Sequence, residues 1–567
     1  EQLGSLNFAN LVTCGHSYLT LIILCVCGNS KAQPSAVKNA AKSVFKLTTY
    51  NADGTVLSTS HGVFVGNNGE AISDLKPFIG ASKAIVTDSK GREMNVERIM
   101  GVNDIYDVAK FKVSGKTIPL NVAQSASASG SQAWLVSYAE KSPTITAATV
   151  KNVETFMDKY SYYIFSLAVP ENTNACPFVN SEGQVIGIMQ PSTTSTDIHA
   201  TDAKFITELQ TTGLSVEDET MKKIGIPPSL PTDKSQALLT LMMAAQANDS
   251  IKHAAIVSDF INQYPTSVDG YTAQAQIYID ANDFESAEKE METAIKKVEN
   301  KDEAHYNYSK IIYNKEVYKS DIPYAAWNLD KAFEEINKAY AINPQPSYQH
   351  QQALITYAKG EYQKAYDMFM DLTKTSIRNP ELFYNASQCK QMLKAPMKEV
   401  IALLDSAITT TDTLRLREAA PYFLARAEAY VTTDSFRQAV FDYTRYEILV
   451  NGNVNANFYY IREQAEVKAK LYQQALIDIS TAIMLAPKEP TYYAEKASLE
   501  LRVNMMDDAI KTATKCIELA PEYADGYLIL GLAQINKGDK ANGMSNLEKA
   551  KELGHVQAQA MIEKYSK

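Results

Sequence analysis

The sequence predicts a multidomain protein in which an all-β half is followed by an all-α solenoid. Short apolar runs between about residues 43 and 190 alternate with turn signals, a pattern typical of many short strands. From residue 234 onward, apolar residues follow helical spacing and a short motif recurs about every 34 residues. Between the halves the chain contains three prolines, which can continue neither a strand ladder nor a helix: Pro227, Pro228 and Pro231.

The β half is built from short apolar runs of strand length, and their regular spacing predicts a sandwich or a barrel. The turns between them combine Asn, Ser and Gly, as at 67–69 (NNG) and 181–183 (SEG). The runs are SVFKLTTY, GVFVG, KAIVTD, DVAKFKV, AWLVSY, TITAATV, YYIFSLAV and QVIGIMQ.

The helical half repeats a spaced triad of small, bulky and small residues. Successive triads begin 45, 33, 35, 39, 36, 34 and 34 residues apart, which indicates a unit near 34 residues and one insertion near 313–325. Small residues on one face let the second helix of a pair approach the first, so the sequence predicts consecutive helix pairs. The triads are Ala287, Met291, Ala294; Ala332, Ile336, Ala339; Ala365, Phe369, Leu372; Val400, Leu404, Ala407; Ala439, Tyr443, Tyr446; Ala475, Ile479, Ala482; Ala509, Ala513, Cys516; and Gly543, Leu547, Ala550.

Three segments of this half resemble tetratricopeptide repeats: GEYQKAYDMFMDL, AKLYQQALIDISTAIMLAP and YLILGLAQINKGDKANGMSNLEKA. The resemblance covers about 255–550 and implies a solenoid whose groove binds a peptide or helix of a protein partner. It also implies that GHVQAQAMIEKY is a capping helix and that 234–264 forms a first helix pair. We therefore place the solenoid at 234–567 and a linker at 213–233.

A tyrosine recurs near the start of the first helix in several repeats, at Tyr271, Tyr348, Tyr459, Tyr493 and Tyr527. Two interpretations stay open. In one, the rings fill space between helix pairs, as aromatic residues at this position do in the repeat family. In the other, some of them line the groove and contact a peptide, so the five are candidate peptide-groove residues.

Composition and charge exclude several classes of function. The 567 residues carry a formal net charge of −10 and no dense Lys/Arg run, which argues against nucleic acid as a partner. Three isolated cysteines outside the first 32 residues, Cys176, Cys389 and Cys516, form neither a disulfide framework nor a zinc motif. No phosphate-binding loop, HExxH, CxxC or dinucleotide fingerprint occurs, so we predict no metal and no cofactor.

The first 32 residues predict a secretory signal peptide with a short upstream leader. An apolar run from about Tyr18 to Cys27 is shorter than the roughly 20 residues of a membrane-spanning helix. It is followed by Ser30-Lys31-Ala32, with small residues at both positions that signal peptidase recognises. We expect cleavage after Ala32 and therefore an exported protein. The alternative is an uncleaved anchor or a buried amphipathic segment.

Two segments of the β half, HGVFVGNNGEAISDLKPFIGASKAIVTDSKGREMNVERIMGVNDIYDVAKFKV and NACPFVNSEGQVIGIM, resemble a trypsin-like serine protease domain of the HtrA type. The resemblance covers 33–212 and implies a double β-barrel. It places the general base at Lys76, the orienting carboxylate at Asp107 and the nucleophile at Asn174. Two of these three residues differ from the His and Ser that the chemistry requires, because a serine hydroxyl attacks only when a neighbouring base takes its proton.

The same resemblance places the glycines of the oxyanion hole at Asn172, Ala175 and Cys176, so the hole is altered as well. One alternative is that Cys176 acts as a displaced nucleophile with His61 as its base. The other alternative is that Cys176 is a buried structural cysteine and that His61 is a half-buried histidine at the end of a strand.

These observations predict an exported, non-catalytic scaffold or adaptor in the periplasm or at the outer membrane of a Gram-negative cell. We expect its partners to be proteins that the solenoid binds. We expect these partners to include members of an outer-membrane complex. Two other functions stay open. One is an active trypsin-like endopeptidase whose repeats recruit substrates, and the other is a periplasmic holdase-type chaperone that binds unfolded chains.

Overall fold

The computed structural model describes residues 33–139, 142–168, 172–191 and 197–566. The predicted signal peptide and leader, residues 1–32, lie outside the described residues. Contacts divide the chain into two compact units, Glu1–Gln263 and Tyr264–Lys567, and each unit is considered by itself.

The first unit contains two closed antiparallel β-barrels of six strands each. In both, the first three strands are consecutive neighbours and the third then pairs with the sixth, so the two rings have the same strand order. This confirms an all-β double barrel. The strands are β1 Val44–Tyr50, β2 Val56–Phe64, β3 Glu70–Asp74, β4 Lys83–Thr87, β5 Glu93–Asn103 and β6 Val108–Val113, then β7 Gln132–Val136, β8 Ile145–Phe156, β9 Tyr160–Phe165, β10 Pro177–Val179, β11 Val185–Pro191 and β12 Ile198–Asp202.

Alternating burial along the strands fills each barrel with apolar side chains. Phe45 and Phe111 lie in the core of the first barrel, and Phe165 stacks on Phe178 at 3.9 Å in the second. A third cluster joins residues of both barrels, Val63 from β2 and Trp134 from β7 among them. The two barrels therefore share an apolar interface, and the residues matched to protease positions lie in turns at the ends of β3, β6 and β10.

The segment predicted as a linker packs on the first barrel. Ile224 and Ile226 are buried in that barrel's core, and Ile99 of β5 pairs with Pro228. In its described residues the first unit also contains five α-helices, and the last two correspond to the helix pair that we predicted as the start of the solenoid. They are α1 Ser35–Ala40, α2 Ala203–Glu208, α3 Glu219–Lys222, α4 Lys234–Gln246 and α5 Ser250–Gln263.

The second unit consists of consecutive helices, which confirms an all-α repeat region. Each triad predicted from the sequence lies on the second helix of a pair, and the first member of every triad is buried. The helices are α6 Val268–Asp280, α7 Phe284–Lys297, α8 Lys301–Tyr318, α9 Leu329–Ile342, α10 Pro346–Ala358, α11 Tyr362–Leu372, α12 Pro380–Met392, α13 Met397–Thr410, α14 Ala420–Thr432, α15 Phe436–Leu449, α16 Ala456–Lys468, α17 Tyr472–Leu485, α18 Pro490–Arg502, α19 Met506–Leu519, α20 Ala524–Lys537, α21 Lys540–Glu552 and α22 Ala558–Ser566.

Most pairs have a small residue on the first helix, opposite the triad. A Cβ added at Gly531 of α20 would lie 2.7 Å from the carbonyl oxygen of Gly543 on α21, closer than a Cβ can approach. In five pairs the residue twelve positions before the first member of the triad is small and buried. In a sixth pair this residue is Glu463. The small residues are Ala275, Ala353, Ala427, Ala497 and Gly531.

The longer spacing between the first two triads comes from a segment between α8 and α9 that folds over the preceding pair. Trp327 in this segment is buried, and its indole N–H donates to the hydroxyl of Tyr308 at 3.3 Å. The hydroxyls of Tyr308 and Tyr324 both donate to the carboxylate of Glu288, at 3.0 and 2.6 Å. Within the described residues, no helix has the length and apolar character needed to cross a membrane.

Candidate functional site

The positions matched to the general base and the orienting carboxylate lie in contact. Lys76 begins a helical turn, Lys76–Phe78, directly after β3, and Asp107 precedes β6 with a positive φ of 48°. Lys76 Nζ lies 3.3 Å from Asp107 Oδ2, and the backbone N–H of Lys76 donates to Asp107 Oδ1 at 2.9 Å. The side chain of Lys76 is 83% exposed, so this ion pair is open to solvent.

The position matched to the nucleophile, Asn174, is engaged through its backbone rather than through its amide. Its carbonyl oxygen lies 3.2 Å from His61 Nδ1, and a carbonyl only accepts, so Nδ1 carries the proton. The His61 ring also stacks on Tyr138, with 6.0 Å between the ring centres. Burial lowers the pKa of His61, although its contact with Asn174 opposes that shift. His61 is therefore neutral near pH 7 and is positioned by its own hydrogen bond.

The turn before β10 keeps a backbone geometry that favours glycine although it contains none. Asn172 and Ala175 both have φ of 59°, in the left-handed region. The N–H of Ala175 donates to the carbonyl of Met189 at 3.1 Å, and the N–H of Cys176 donates to Thr173 at 3.0 Å. Backbone acceptors thus occupy two of the amides that the resemblance placed around an oxyanion hole.

Cys176 is fully buried in the second barrel, and burial raises the pKa of its thiol to about 12. The thiol therefore stays protonated near neutral pH, whereas attack requires the thiolate. The carboxylate of Asp74 raises this pKa further. The structure thus places Cys176 in the core of the second barrel.

Asp74, whose carboxylate lies at the end of β3, was not among the residues predicted from the sequence. The hydroxyls of Ser60 and Ser73 lie 2.7 and 2.9 Å from Asp74 Oδ1. Burial raises the pKa of Asp74 to about 6, and the charge of Asp107 adds to the shift. The signal available in the sequence was an aspartate directly after the strand-like run Ala71-Ile72-Ser73.

The five tyrosines predicted near the groove all pack between helices. Tyr271 and Tyr348 are 1% and 5% exposed, and their hydroxyls donate to the carbonyl of Pro265 and to Asp302 Oδ2. Tyr493 donates to the carbonyl of Pro487 in the same way as Tyr271 donates to Pro265. Each of these two rings thus ties its own helix to the proline that ends the preceding pair. Partly buried Tyr459 and Tyr527 pack against apolar clusters as well.

A second group that the sequence did not reveal is a set of buried carboxylates on α16. Burial raises the pKa of Glu463 to about 7 and that of Glu466 to about 8, and neighbouring carboxylates add to both shifts. Among the described residues, Glu463 Oε1 and Glu466 Oε2 have no hydrogen-bond partner. Beside them, Arg462 binds Asp478 of α17 through two hydrogen bonds of 2.6 and 2.9 Å.

Comparison with known families identifies one segment of the helical unit. The tetratricopeptide repeat family matches residues 268–296, which correspond to the helix pair α6 and α7. This pair contains the first of the triads recognised in the sequence.

Curated relatives match over short segments only. The chain is 33% identical over 85 residues to "Hsp70-Hsp90 organizing protein" of Triticum aestivum and 32% identical over 85 residues to "Hsp70-Hsp90 organizing protein 2" of Arabidopsis thaliana. Each match covers 15% of this chain and 15% of the relative. A third, "Heat shock protein STI1" of Saccharomyces cerevisiae, is 28% identical over 103 residues, 18% of this chain and 17% of the relative. The chain thus contains a tetratricopeptide repeat within its all-α repeat unit.

Proposed function

We propose that this protein is an exported, non-catalytic adaptor that binds protein partners through its helical repeats. The observation that carries the proposal is the unbroken series of helix pairs from α6 to α21, which includes a tetratricopeptide repeat. Such pairs stack into an extended surface, and each pair contacts mainly its neighbours. A long surface of this kind suits the binding of another protein better than the binding of a small molecule.

The proposal treats the double barrel as a degenerate trypsin-like domain that has lost its chemistry. Its support is the identity of the side chains. An asparagine amide at position 174 is no nucleophile, and Lys76, solvent-exposed and paired with Asp107, stands where the chemistry needs a histidine as general base. The alternative nucleophile, Cys176, has a pKa near 12. An active endopeptidase is the competing function, and it requires residues other than these.

The exported location is part of the proposal, with the periplasm or the outer membrane of a Gram-negative cell as the expected site. Its support is the sequence around Ser30-Lys31-Ala32, after the apolar run. Fractionation of cells together with the N-terminal sequence of the mature chain tests it. An uncleaved chain in the cytoplasm would overturn this part.

The names of two relatives favour an adaptor over a general holdase. Both are called Hsp70-Hsp90 organizing proteins, a name that describes a protein acting on two defined partners. We infer that this chain also binds a few defined folded proteins. Broad binding of unfolded exported chains would indicate a holdase instead.

Photo-crosslinking in the cell of origin tests the adaptor function. A benzoylphenylalanine replaces Asn457 or Ile461, two exposed residues of α16, and Lys90 in an exposed turn of the first barrel is the matched control. We expect a few discrete crosslinked proteins from the helix positions and none from Lys90. A smear of many proteins supports the holdase, and no crosslink from any exposed first-helix position overturns the proposal.

A further inference from the structure

The second helices α15 and α17 expose large apolar side chains at equivalent positions. Phe441 and Ile477 each lie two residues after the first member of a triad, and Ile448 and Met484 each lie nine residues after it. Their exposed fractions are 58% and 66% for the first two and 58% and 72% for the second two. Because successive repeats stack in nearly the same way, equivalent positions of neighbouring second helices lie on one face.

The other helix pairs do not share this pattern. In the six remaining pairs with a recognised triad, the two positions hold charged, hydroxyl or alanine side chains and no large apolar one. In the next pair, for example, they hold Lys511 and Glu518. The apolar residues of α15 and α17 are therefore a local feature of two adjacent repeats, not a property of the repeat itself. Large apolar side chains exposed at equivalent positions of adjacent repeats are typical of an interaction site.

Cations outnumber free carboxylates around these apolar residues: Asp434, at the position equivalent to Lys470, is exposed, whereas Glu447 beside Ile448 is paired with Arg462. Asp442 and Asp478, the aspartates of α15 and α17, are buried and paired with Arg426 and Arg462. The cations around the apolar residues have no carboxylate within ion-pair distance anywhere in the described parts of the chain. They are Arg437 and Arg445 on α15, and Lys470 and Lys488 at the two ends of α17.

We propose that these apolar residues and the four cations, together the α15–α17 face, dock a protein partner whose apolar side chains are flanked by carboxylates. Charge complementarity selects this occupant. A second copy of the chain would bring the same cations against one another, and like charges across an interface disfavour association. For an anionic bilayer, four cations are only the lower end of the four to eight that such a surface attracts, and the net charge of −10 opposes the approach of the chain.

This docking surface lies on the second helices of the repeats, so it leaves the first helices free for another partner. The chain would then hold two proteins at once, and each would raise the local concentration of the other. The inference thus extends the proposed adaptor function, but it depends on different residues and is tested separately.

Binding of designed peptides to the full chain tests the proposal by fluorescence anisotropy. The probe is a labelled 18-residue amphipathic helix with a leucine face flanked by glutamates, and its counterpart has lysines in place of the glutamates. We expect the glutamate peptide to bind at least tenfold more tightly than the lysine peptide. The double variant Ile477→Lys, Met484→Lys should lose at least tenfold in affinity for it, whereas Leu414→Lys, at an exposed apolar residue of the 3-10 helix Thr413–Ala419, should not change it.

Reversing the charges of two arginines on α15 is the most discriminating experiment. In the double variant Arg437→Glu, Arg445→Glu, the preference between the two peptides should shrink by at least tenfold or invert. Equal binding of both peptides, or binding that neither double variant changes, overturns the proposal. So does binding to phosphatidylglycerol vesicles without peptide binding, which would indicate a membrane surface. A concentration-dependent dimer that Ile477→Lys abolishes would indicate a second copy and would overturn it as well.

Discussion

The turns at the ends of β3 and β6 contain one ion pair, and the α16–α17 helix pair contains another. These two ion pairs differ in burial. Lys76, paired with Asp107, is 83% exposed, whereas Arg462, paired with Asp478, is 8% exposed. In the first region the backbone keeps the turns of a site while solvent surrounds the side chains. In the second, the charges lie inside the packing of the helices. We therefore expect loss of one charge to cost more stability at Arg462 than at Lys76.

The largest expected effect comes from breaking the buried pair. Arg462→Met leaves Asp478 and Glu447 without their partner in a buried position, and loss of one member of such a pair costs about 3–5 kcal/mol. We therefore expect calorimetry to show a lower unfolding temperature for the helical unit. Arg445→Met is the control, because Arg445 is exposed and makes no ion pair in the described structure, so its substitution should cost less than about 0.5 kcal/mol. Similar costs for both variants would remove the contrast between the regions.

A smaller effect, of opposite sign, is expected at Glu463. Its folded pKa, about 7, lies above the ordinary value of 4.5, so the folded unit binds a proton that the unfolded chain releases. Stability should therefore fall as pH rises from about 4.5 through 7. Glu463→Gln removes this charge and keeps the volume, so it should stabilise the unit by about 3 kcal/mol at pH 8 and by less than about 1 kcal/mol at pH 5.

Glu466 also has a raised pKa, so the variant should reduce the pH dependence of the helical transition without removing it. Calorimetry of both proteins at pH 5, 6.5 and 8 measures this. A pH dependence identical to that of the unsubstituted chain would contradict the assignment of the buried charge to Glu463.

The smallest effect is expected at the exposed pair. Lys76→Ala should change the unfolding free energy of the barrel unit by less than about 1 kcal/mol, because exposed ion pairs contribute little. Asp107→Ala should cost more, by about 1 kcal/mol, since its carboxylate also accepts the backbone N–H of Lys76. Urea denaturation of the two variants separates the contributions. A larger loss for Lys76→Ala than for Asp107→Ala would contradict the geometry.

Much of the architecture followed from the sequence because it depends on periodicity. Alternating strands with turn residues predicted the β half, and the recurring triad predicted the helix pairs with their first members buried. The packing of 213–233 on the first barrel was not predicted, because prolines show where regular structure ends and not what the segment contacts. Ile224 and Ile226, both buried, were the apolar residues that indicated it.

The site was less predictable than the fold. The resemblance assigned Lys76 and Asp107 to matched positions without predicting their ion pair, and the hydrogen bond from His61 to the carbonyl of Asn174 joins residues 113 positions apart. No local pattern reports such a contact. Glu463 was detectable in principle, because five other pairs place alanine or glycine at the equivalent position. A carboxylate at a position reserved for small side chains signals burial even where the partner is unknown.

The central claim is that the barrels perform no peptide hydrolysis and that the chain acts by binding. The most direct test is cleavage of unfolded casein by the chain from Gln33 onward, with Asn174→Ala, Cys176→Ala and His61→Ala variants in parallel. The account predicts no turnover by any of the four proteins. Turnover by the unsubstituted chain that Cys176→Ala or His61→Ala abolishes would contradict it and would identify the nucleophile or the base of an active protease.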